Sequence, residues 1–251
     1  MDLTGQLRAA ILAQSLPAPS TAFLSSLTTA RSPPPPLPSL LATAKARLLA
    51  ADLCASSGLL LNAAALPGFP DAVAAVRETR LQRPVHVQVL DVENLALSRW
   101  EQVEELEAVE RGETTRGREV VRVTADDDSN NAETTQSTQR TTATTTATTT
   151  AAGVRPAGKN ATHRLVLQDA KGAKLYAVEL RRIDGIGIGK TQVGEKMLLK
   201  AGTIIARGTL LLEPDKCVLL GGKVEAWQKV WLDGRLTRLR EAVRQEETQR
   251  P

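Results

Sequence analysis

Apolar residues recur at helical spacing through the first eighty residues of the chain. Proline cannot continue a helix, so Pro17 and the four prolines at 33–36 divide this region into three segments. Ser39 is a suitable N-cap for the third segment. The apolar stripes of the three predicted helices are Leu3, Leu7 and Ile11; Phe23, Leu24 and Leu27; and Leu41, Leu48, Leu49 and Leu53. We therefore predict a small three-helix domain over residues 1–80.

The period of the pattern changes to two residues at Val85. Val85, Val87 and Val89 alternate with polar residues, as expected for a half-buried strand. Residues 164–168 and 174–181 predict a hairpin, because a glycine-containing turn signal lies between them. Further strands are predicted at 196–199, 203–206, 209–212 and 217–220, and a closing helix at 225–245.

A small barrel of the oligonucleotide/oligosaccharide-binding (OB) type fits this order of elements. The order is one strand, a long insertion, about four further strands and a closing helix. The predicted fold class is therefore α+β: an N-terminal helical bundle, then a five-stranded OB-fold barrel over residues 81–251 with a long insertion after strand 1 and a C-terminal helix. We expect Leu211 and Val218 to point into the barrel core. Residues 184–194 are too rich in glycine for a helix between strands three and four, so we expect a flexible loop there.

The insertion after the first barrel strand spans residues 99–162. Its beginning, residues 99–111, predicts an acidic helix with apolar residues on one side. Residues 125–162 are low in complexity, and eight threonines and two alanines fill positions 141–150. Such a composition offers almost nothing apolar to bury, so we predict disorder over residues 125–162.

Charge is distributed unevenly along the chain, whose net charge is +4. Residues 99–128 carry five arginines against ten acidic residues, whereas residues 164–251 carry seventeen basic against eleven acidic residues. The asymmetry indicates steering toward a charged partner, although ordinary solvated faces explain it equally well. No apolar run approaches the length of a transmembrane helix, so we expect an intracellular protein without a membrane partner.

No motif for catalysis stands out from the sequence. Residues 185–191 end in Gly-Lys-Thr, but a phosphate-binding loop needs a glycine where Asp184 stands, and a helix afterwards. The two histidines, His86 and His163, lie outside any nucleophile or zinc-binding pattern. The two cysteines are far apart, in different predicted domains. We therefore predict a protein that is not an enzyme and that uses no metal and no cofactor.

Binding of single-stranded nucleic acid is the obvious function of an OB fold, and it needs aromatic platforms beside a basic groove. Tyr176 is the one aromatic residue on the predicted barrel strands, so a stand-alone barrel should bind weakly. Possible contacts to DNA phosphates are Arg181, Arg182 and Lys190. A stand-alone single-strand-binding protein is the alternative to the function described next.

Residues 165–172, 210–214 and 218–225 resemble the RecQ-mediated genome instability protein 1 family, above all its fungal members. The leucine-rich strand followed by Leu-Gly-Gly-x-Val-Glu carries most of the resemblance, and residues 85–92 and 117–123 add to it. The resemblance implies a non-catalytic nuclear subunit that binds the type IA topoisomerase III. With a RecQ-family helicase, such a complex dissolves double Holliday junctions, and DNA is contacted weakly or within the complex.

Two groups of residues are predicted to bind this partner. The resemblance implies that the insertion reaches the gate of the topoisomerase, and the insertion group comprises Arg99, Trp100, Glu104, Leu106, Arg116 and Arg118. The barrel group, on which docking would rest, comprises Glu213, Pro214, Asp215 and Lys216. Trp100 is a lone large aromatic residue on a polar segment, which is typical of an interface hot spot. The alternative is that Trp100 packs against its own barrel.

Overall fold

The computed structural model of the chain describes residues 2–54, 65–71, 73, 75–111 and 161–249, together with the backbone of two short strands at 114–115 and 118–119. The predicted disorder over residues 125–162 therefore falls largely outside the described residues. Its last two residues are an exception. Ala161 is buried, and the Thr162 carbonyl accepts a hydrogen bond from the Leu95 amide at 2.9 Å. The prediction of disorder therefore does not hold for these two residues, which lead directly into the strand that begins at His163.

Three helices form the N-terminal region, as predicted: α1 (Leu3–Ala13), α2 (Thr21–Thr28) and α3 (Leu37–Ala50). The N-cap of α3 is Pro36 rather than the predicted Ser39. Pro38 lies in the first turn, where the missing amide hydrogen costs no hydrogen bond, so the helix begins before the serine. The apolar stripes of the three helices meet in a core of their own that includes Leu7, Ile11, Leu24, Ala44 and Leu48.

A curled sheet follows, and it has eight strands in the part of the chain that the structure describes, rather than five. The strands and the helix within the insertion are β1 (Thr79–Arg80), β2 (Val85–Asn94), α4 (Arg99–Glu110), β3 (Thr114–Thr115), β4 (Arg118–Glu119), β5 (His163–Asp169), β6 (Lys174–Glu179), β7 (Lys196–Leu199), β8 (Ile204–Ala206), β9 (Thr209–Leu212) and β10 (Cys217–Gly221). The sheet order is β1-β8-β9-β6-β5-β2-β7-β10, and β3 pairs with β4 separately. The sequence patterns located seven of these eight strands, although we grouped them into a five-stranded barrel. The strand that they missed is β1, which pairs with β8 at the edge of the sheet.

A bulge lies at the centre of β2, the strand that pairs with both β5 and β7. β2 pairs with β7 through its first half and with β5 along most of its length, and the β5 register shifts between Val89 and Asp91. Val85, Val87 and Val89 are buried before the bulge, and Val92 is buried after it. The extra residue therefore bends the strand and changes which alternate positions face the core.

The prediction that Leu211 and Val218 point into the core is wrong. Leu210 and Leu212 are fully buried, whereas Leu211 is partly exposed. Val218 is also partly exposed, and its neighbour Cys217 is buried. Because Leu210, Leu211 and Leu212 are all apolar, the sequence does not indicate which of them face the core. The pairing of β9 with β6 decides this.

The glycine-rich segment between β6 and β7 is packed, not flexible as predicted. Ile186 and Ile188 are buried in the core of the sheet. The Gly187 amide donates to Oγ1 of Thr191 at 3.0 Å, and the Thr191 amide donates to the Gly187 carbonyl at 2.9 Å. These contacts fix the segment against the core of the sheet.

The single C-terminal helix predicted over residues 225–245 is divided. Helix α5 (Glu225–Asp233) and helix α6 (Arg235–Gln249) meet at Gly234. Trp231 of α5 is buried against the sheet core. Glycine is a poor helix former, so Gly234 is the weakest position of this amphipathic segment.

Candidate partner-binding site

Helix α4, at the start of the insertion, is a well-formed and strongly acidic element. Ser98 and Glu101 form a capping box: the Ser98 hydroxyl accepts from the Glu101 amide, and the Glu101 carboxylate accepts from the Ser98 amide. These hydrogen bonds lower the pKa of Glu101. The helix carries five glutamates and one arginine, so it presents negative charge to solvent.

Buried contacts and ion pairs fix α4 to the body of the protein. Val103 is buried, and the Gln102 amide group donates to the carbonyl oxygens of Asn94 and Leu97 at 3.1 and 3.2 Å. At the far end, Arg240 of α6 donates two hydrogen bonds to Glu107, at 2.7 and 3.0 Å. Helix α4 is therefore a docked element and not a free arm.

Arg99, which we predicted to contact a partner, has partners within the chain. Its guanidinium pairs with Glu93 of β2 at 3.4 Å and with Glu246 of α6. About two thirds of its side chain is buried. Arg99 therefore positions the beginning of α4, and the sequence offered no signal for pairing with residues so distant along the chain.

Trp100 is the exposed aromatic residue of this helix. Its side chain is 56% exposed, and its indole Nε1 donates to Oε1 of Glu104 at 2.9 Å. The structure thus does not bear out the alternative that Trp100 folds back on the sheet. Glu104 lies beside it, and Leu106 is partly buried. Of the other predicted insertion residues, Arg116 lies outside the described residues, and only the backbone of Arg118 is described, in β4.

The predicted barrel group forms the turn between β9 and β10. The Lys216 amide donates to the Glu213 carbonyl at 3.0 Å and closes the turn. Arg181, which we predicted to contact DNA, donates to Asp215 at 3.0 Å and lies 3.7 Å from the Glu213 carboxylate. Pro214 is exposed. The structure therefore joins Arg181 to the turn, while α4 forms a separate cluster with β2 and α6.

The other two predicted phosphate contacts are also engaged. Lys190 donates to the Asp184 carbonyl at 2.9 Å. Arg182 lies 3.2 Å from the Glu179 carboxylate and 3.0 Å from Nδ1 of the buried His163. Burial opposes ionisation of Glu179, but hydrogen bonds from His163 and from the Ile183 amide outweigh it and lower the pKa of Glu179. Arg182 therefore supports a buried polar cluster at the start of β5.

The outer face of the sheet carries an exposed aromatic side chain on which a nucleic-acid base could stack. Tyr176 of β6 is 52% exposed, and the Arg164 guanidinium lies 5.0 Å from its ring centroid. Such a pair can accept one stacked base, worth about 1–3 kcal/mol. Within the described residues, no helix is both long and apolar enough to span a membrane.

Comparison with known proteins gives two matches to family models and one relative. Residues 11–56 match the model described as RMI1, N-terminal helical domain, and residues 69–235 match RMI1, N-terminal OB-fold domain. RecQ-mediated genome instability protein 1 of Schizosaccharomyces pombe is 26% identical over 167 residues, which cover 66% of this chain and 67% of that protein. These matches confirm the predicted α+β fold class, with a helical region followed by an OB-fold domain, and they confirm the resemblance noted in the sequence.

Proposed function

The chain belongs to the RMI1 family, and from that membership we propose that it acts with a RecQ-family helicase in genome maintenance, as a non-catalytic OB-fold subunit. More specifically, it binds the type IA topoisomerase III in that complex and regulates the enzyme during dissolution of double Holliday junctions. Its place of action is the nucleus. The observation that carries the proposal is the match of both family models, in order, to residues 11–56 and 69–235.

Helix α4 is the surface that we assign to regulation of the topoisomerase. It is held by buried contacts on one side and presents Trp100 and an acidic face on the other. Tryptophan is enriched among interface hot spots, and a helix already fixed in place loses little freedom on binding. The turn around Asp215 is the surface that we assign to docking.

Co-purification tests the proposed complex. The full chain, mixed with topoisomerase III and the RecQ helicase of the same organism, is expected to elute with both enzymes in size-exclusion chromatography. The mixture should dissolve a double Holliday junction faster than the two enzymes alone. If the chain elutes separately and leaves the dissolution rate unchanged, the proposed function is wrong.

A pair of aromatic substitutions separates regulation by α4 from binding of single strands by the sheet. Trp100→Ala should change topoisomerase decatenation several-fold while binding and melting temperature change little, because the ring is largely in solvent. Tyr176→Ala, which also removes an exposed aromatic ring, is the matched control and should leave decatenation unchanged. Normal decatenation by a stable Trp100→Ala variant would contradict the role of α4.

Stand-alone binding of single-stranded DNA is the alternative function, and Tyr176 with Arg164 is the feature that favours it. A mobility-shift assay at physiological salt should give only weak binding, because a single platform adds about 1–3 kcal/mol. Tight binding by the chain alone, lost in Tyr176→Ala, would favour this alternative over the adaptor.

A further inference from the structure

The outer face of the sheet is apolar over four neighbouring strands. Along β5 and β6, inward residues such as Leu165 and Ala177 are fully buried, and the residues that alternate with them point outward. Pairing across the strands continues this outer face over β9 and β8. Its apolar side chains, which we call the outer apolar patch, are all partly or largely exposed: Val166, Tyr176, Val178, Leu180, Ile204 and Leu211.

Cross-strand neighbours make the outer apolar patch contiguous. Val166 lies opposite Tyr176. Val178 pairs with Leu211, which pairs in turn with Ile204. Tyr176 and Leu180 are 52% and 57% exposed. Contiguous exposed apolar surface is typical of a site at which another protein binds, so the patch is a candidate docking surface.

The carboxylates around the patch are paired with arginines. The pairs are Glu93 with Arg164, Glu78 with Arg80 and Glu213 with Arg181. Arg181 is shared with a second carboxylate, that of Asp215. The end of the patch at Leu180 therefore has no excess of positive charge.

The opposite end of the patch is basic. Lys174 and Arg207 stand two residues before Tyr176 and Thr209, which pair in the parallel strands β6 and β9, so they lie at the same end of the face. The Arg207 amide donates to the Arg77 carbonyl at 3.3 Å, which brings a third exposed basic residue to this end. None of the three forms an ion pair within the described residues.

The acidic residues on this side do not cancel that charge. Asp169 is fully buried and accepts three backbone amides, and the exposed Lys171 follows it closely. Asp52 interacts with the buried Lys196. The exposed Asp71 of the preceding segment can balance one charge, so the exposed surface at this end stays positive.

The backbone of the face limits the kind of element that can cover it. Each of β5, β6, β8 and β9 is paired with a neighbouring strand on both sides, so the face has no free edge for an added strand. A segment that lies on it must satisfy its own backbone hydrogen bonds, as an α-helix does. Nucleic acid is a poorer fit, because bases stack on planar rings and Tyr176 is the one planar side chain of the patch.

We propose that the outer apolar patch binds an amphipathic α-helix of a partner protein. Apolar side chains of that helix cover the patch, and acidic side chains at one of its ends meet Lys174 and Arg207. Strand β6 extends roughly 20 Å from Lys174 to Leu180, which corresponds to about 13 residues of helix. The inference does not depend on binding to topoisomerase III, which we assign to α4 and to the turn around Asp215.

Calorimetric titration of the full chain with four probes tests the kind of partner. The first probe is a designed helical peptide of about 16 residues, with leucines along one face and glutamates at one end. The others are the same peptide with lysines in place of the glutamates, a scrambled peptide whose leucines share no face, and a single-stranded oligonucleotide. The first peptide should bind, and the other three probes about tenfold more weakly or not at all. Absence of binding by the first peptide, or equal binding by any other probe, would overturn the proposal.

Two substitutions with matched controls locate the binding at the patch. Leu180→Glu should weaken binding of the acidic peptide about tenfold or more, because it replaces an apolar contact with a charge. Val230→Glu adds the same charge at a 69% exposed apolar position of α5, outside the patch, and should leave binding unchanged. Both side chains are largely in solvent, so both variants should keep the wild-type melting temperature.

The second substitution tests the basic end. Lys174→Gln should weaken binding several-fold and make it less sensitive to salt. Its control is Lys229→Gln, which removes the same charge from an exposed position of α5. Unchanged binding by Leu180→Glu and Lys174→Gln, or equal weakening by the two controls, would show that the helix does not bind at this face.

Discussion

Lys196 is the largest fully buried side chain among the described residues. Its Nζ donates to the Gly194 carbonyl at 2.6 Å. Burial lowers the pKa of Lys196 from 10.5 to about 8, and the negative charge of Asp52 offsets only part of this shift. Below pH 8 the ammonium is charged in both the folded and the unfolded chain, so the full cost of its burial reduces stability.

Replacement of Lys196 by methionine should stabilise the protein in a pH-dependent manner. Between pH 8 and 10.5 the folded chain has released the proton and the unfolded chain still binds it, so the wild-type free energy of unfolding rises with pH. The advantage of Lys196→Met should therefore be largest below pH 8 and shrink by about 3 kcal/mol toward pH 10.5. Urea unfolding of both proteins at pH 7, 8, 9 and 10 measures the difference, and a constant difference would contradict this assignment.

The leucines of β9 provide a second test at the level of single residues. Leu210 is fully buried and Leu211 is only partly buried. Truncation of a buried leucine costs about 2–5 kcal/mol, so Leu210→Ala should lower the free energy of unfolding by that amount and Leu211→Ala by clearly less. Chemical unfolding of the two variants gives the comparison. Equal losses would show that the inward face of β9 is assigned incorrectly.

At the scale of elements, the end of β10 meets the end of α3 very closely. A Cβ atom added to Gly222 would lie 2.5 Å from the Leu49 carbonyl oxygen, and Gly222 has a φ of +86°. Its neighbour Gly221 has a φ of +82°, but an added Cβ would meet nothing within 4 Å. The two glycines thus share a left-handed backbone, and only Gly222 is also required for contact between the helical region and the sheet.

Alanine substitutions at these two glycines should separate backbone strain from docking. Gly221→Ala should lower the free energy of unfolding by about 1–2 kcal/mol, because alanine is strained at a positive φ. Gly222→Ala introduces the same strain, and its Cβ atom must also displace α3 from β10. Its melting temperature should therefore fall further, and α3 should become more sensitive to proteolysis. Equal melting temperatures of the two variants would contradict this description of the contact between α3 and β10.

At the scale of the whole molecule, the long insertion leaves and re-enters the sheet at neighbouring positions. It leaves after β2 and returns through Ala161 and Thr162, and the Thr162 carbonyl bonds the Leu95 amide. From its composition, we predict that the segment 125–160 acts as a spacer.

Replacement of residues 125–160 with a short Gly-Ser linker should leave the melting temperature nearly unchanged. Extending the replacement through Ala161 and Thr162 should lower it, because the buried methyl group of Ala161 is then lost. Thermal unfolding of the two variants measures this contrast. A clear loss already in the shorter replacement would show that the segment folds or docks.

Part of the candidate site was accessible from the sequence. The acidic helix at the start of the insertion and the isolated Trp100 were both predicted, because helical periodicity and charge are visible within a dozen residues. The partners of that helix were not. Arg240 and Glu107 are 133 positions apart along the chain, and no local pattern indicates that they meet.

The sequence by itself determined the elements whose signals are local: three apolar stripes for the helices, the alternation in β2 and the turn between β5 and β6. Only the tertiary structure decided which face of a uniform segment is buried, as for the three leucines of β9, where the parallel pairing with β6 sets the phase. It likewise decided that Lys196 is buried and that Arg235 is buried beside the ring of Trp231. Periodicity reports the geometry of one element, whereas burial and charge pairing depend on elements that are distant in the chain and meet only when it folds.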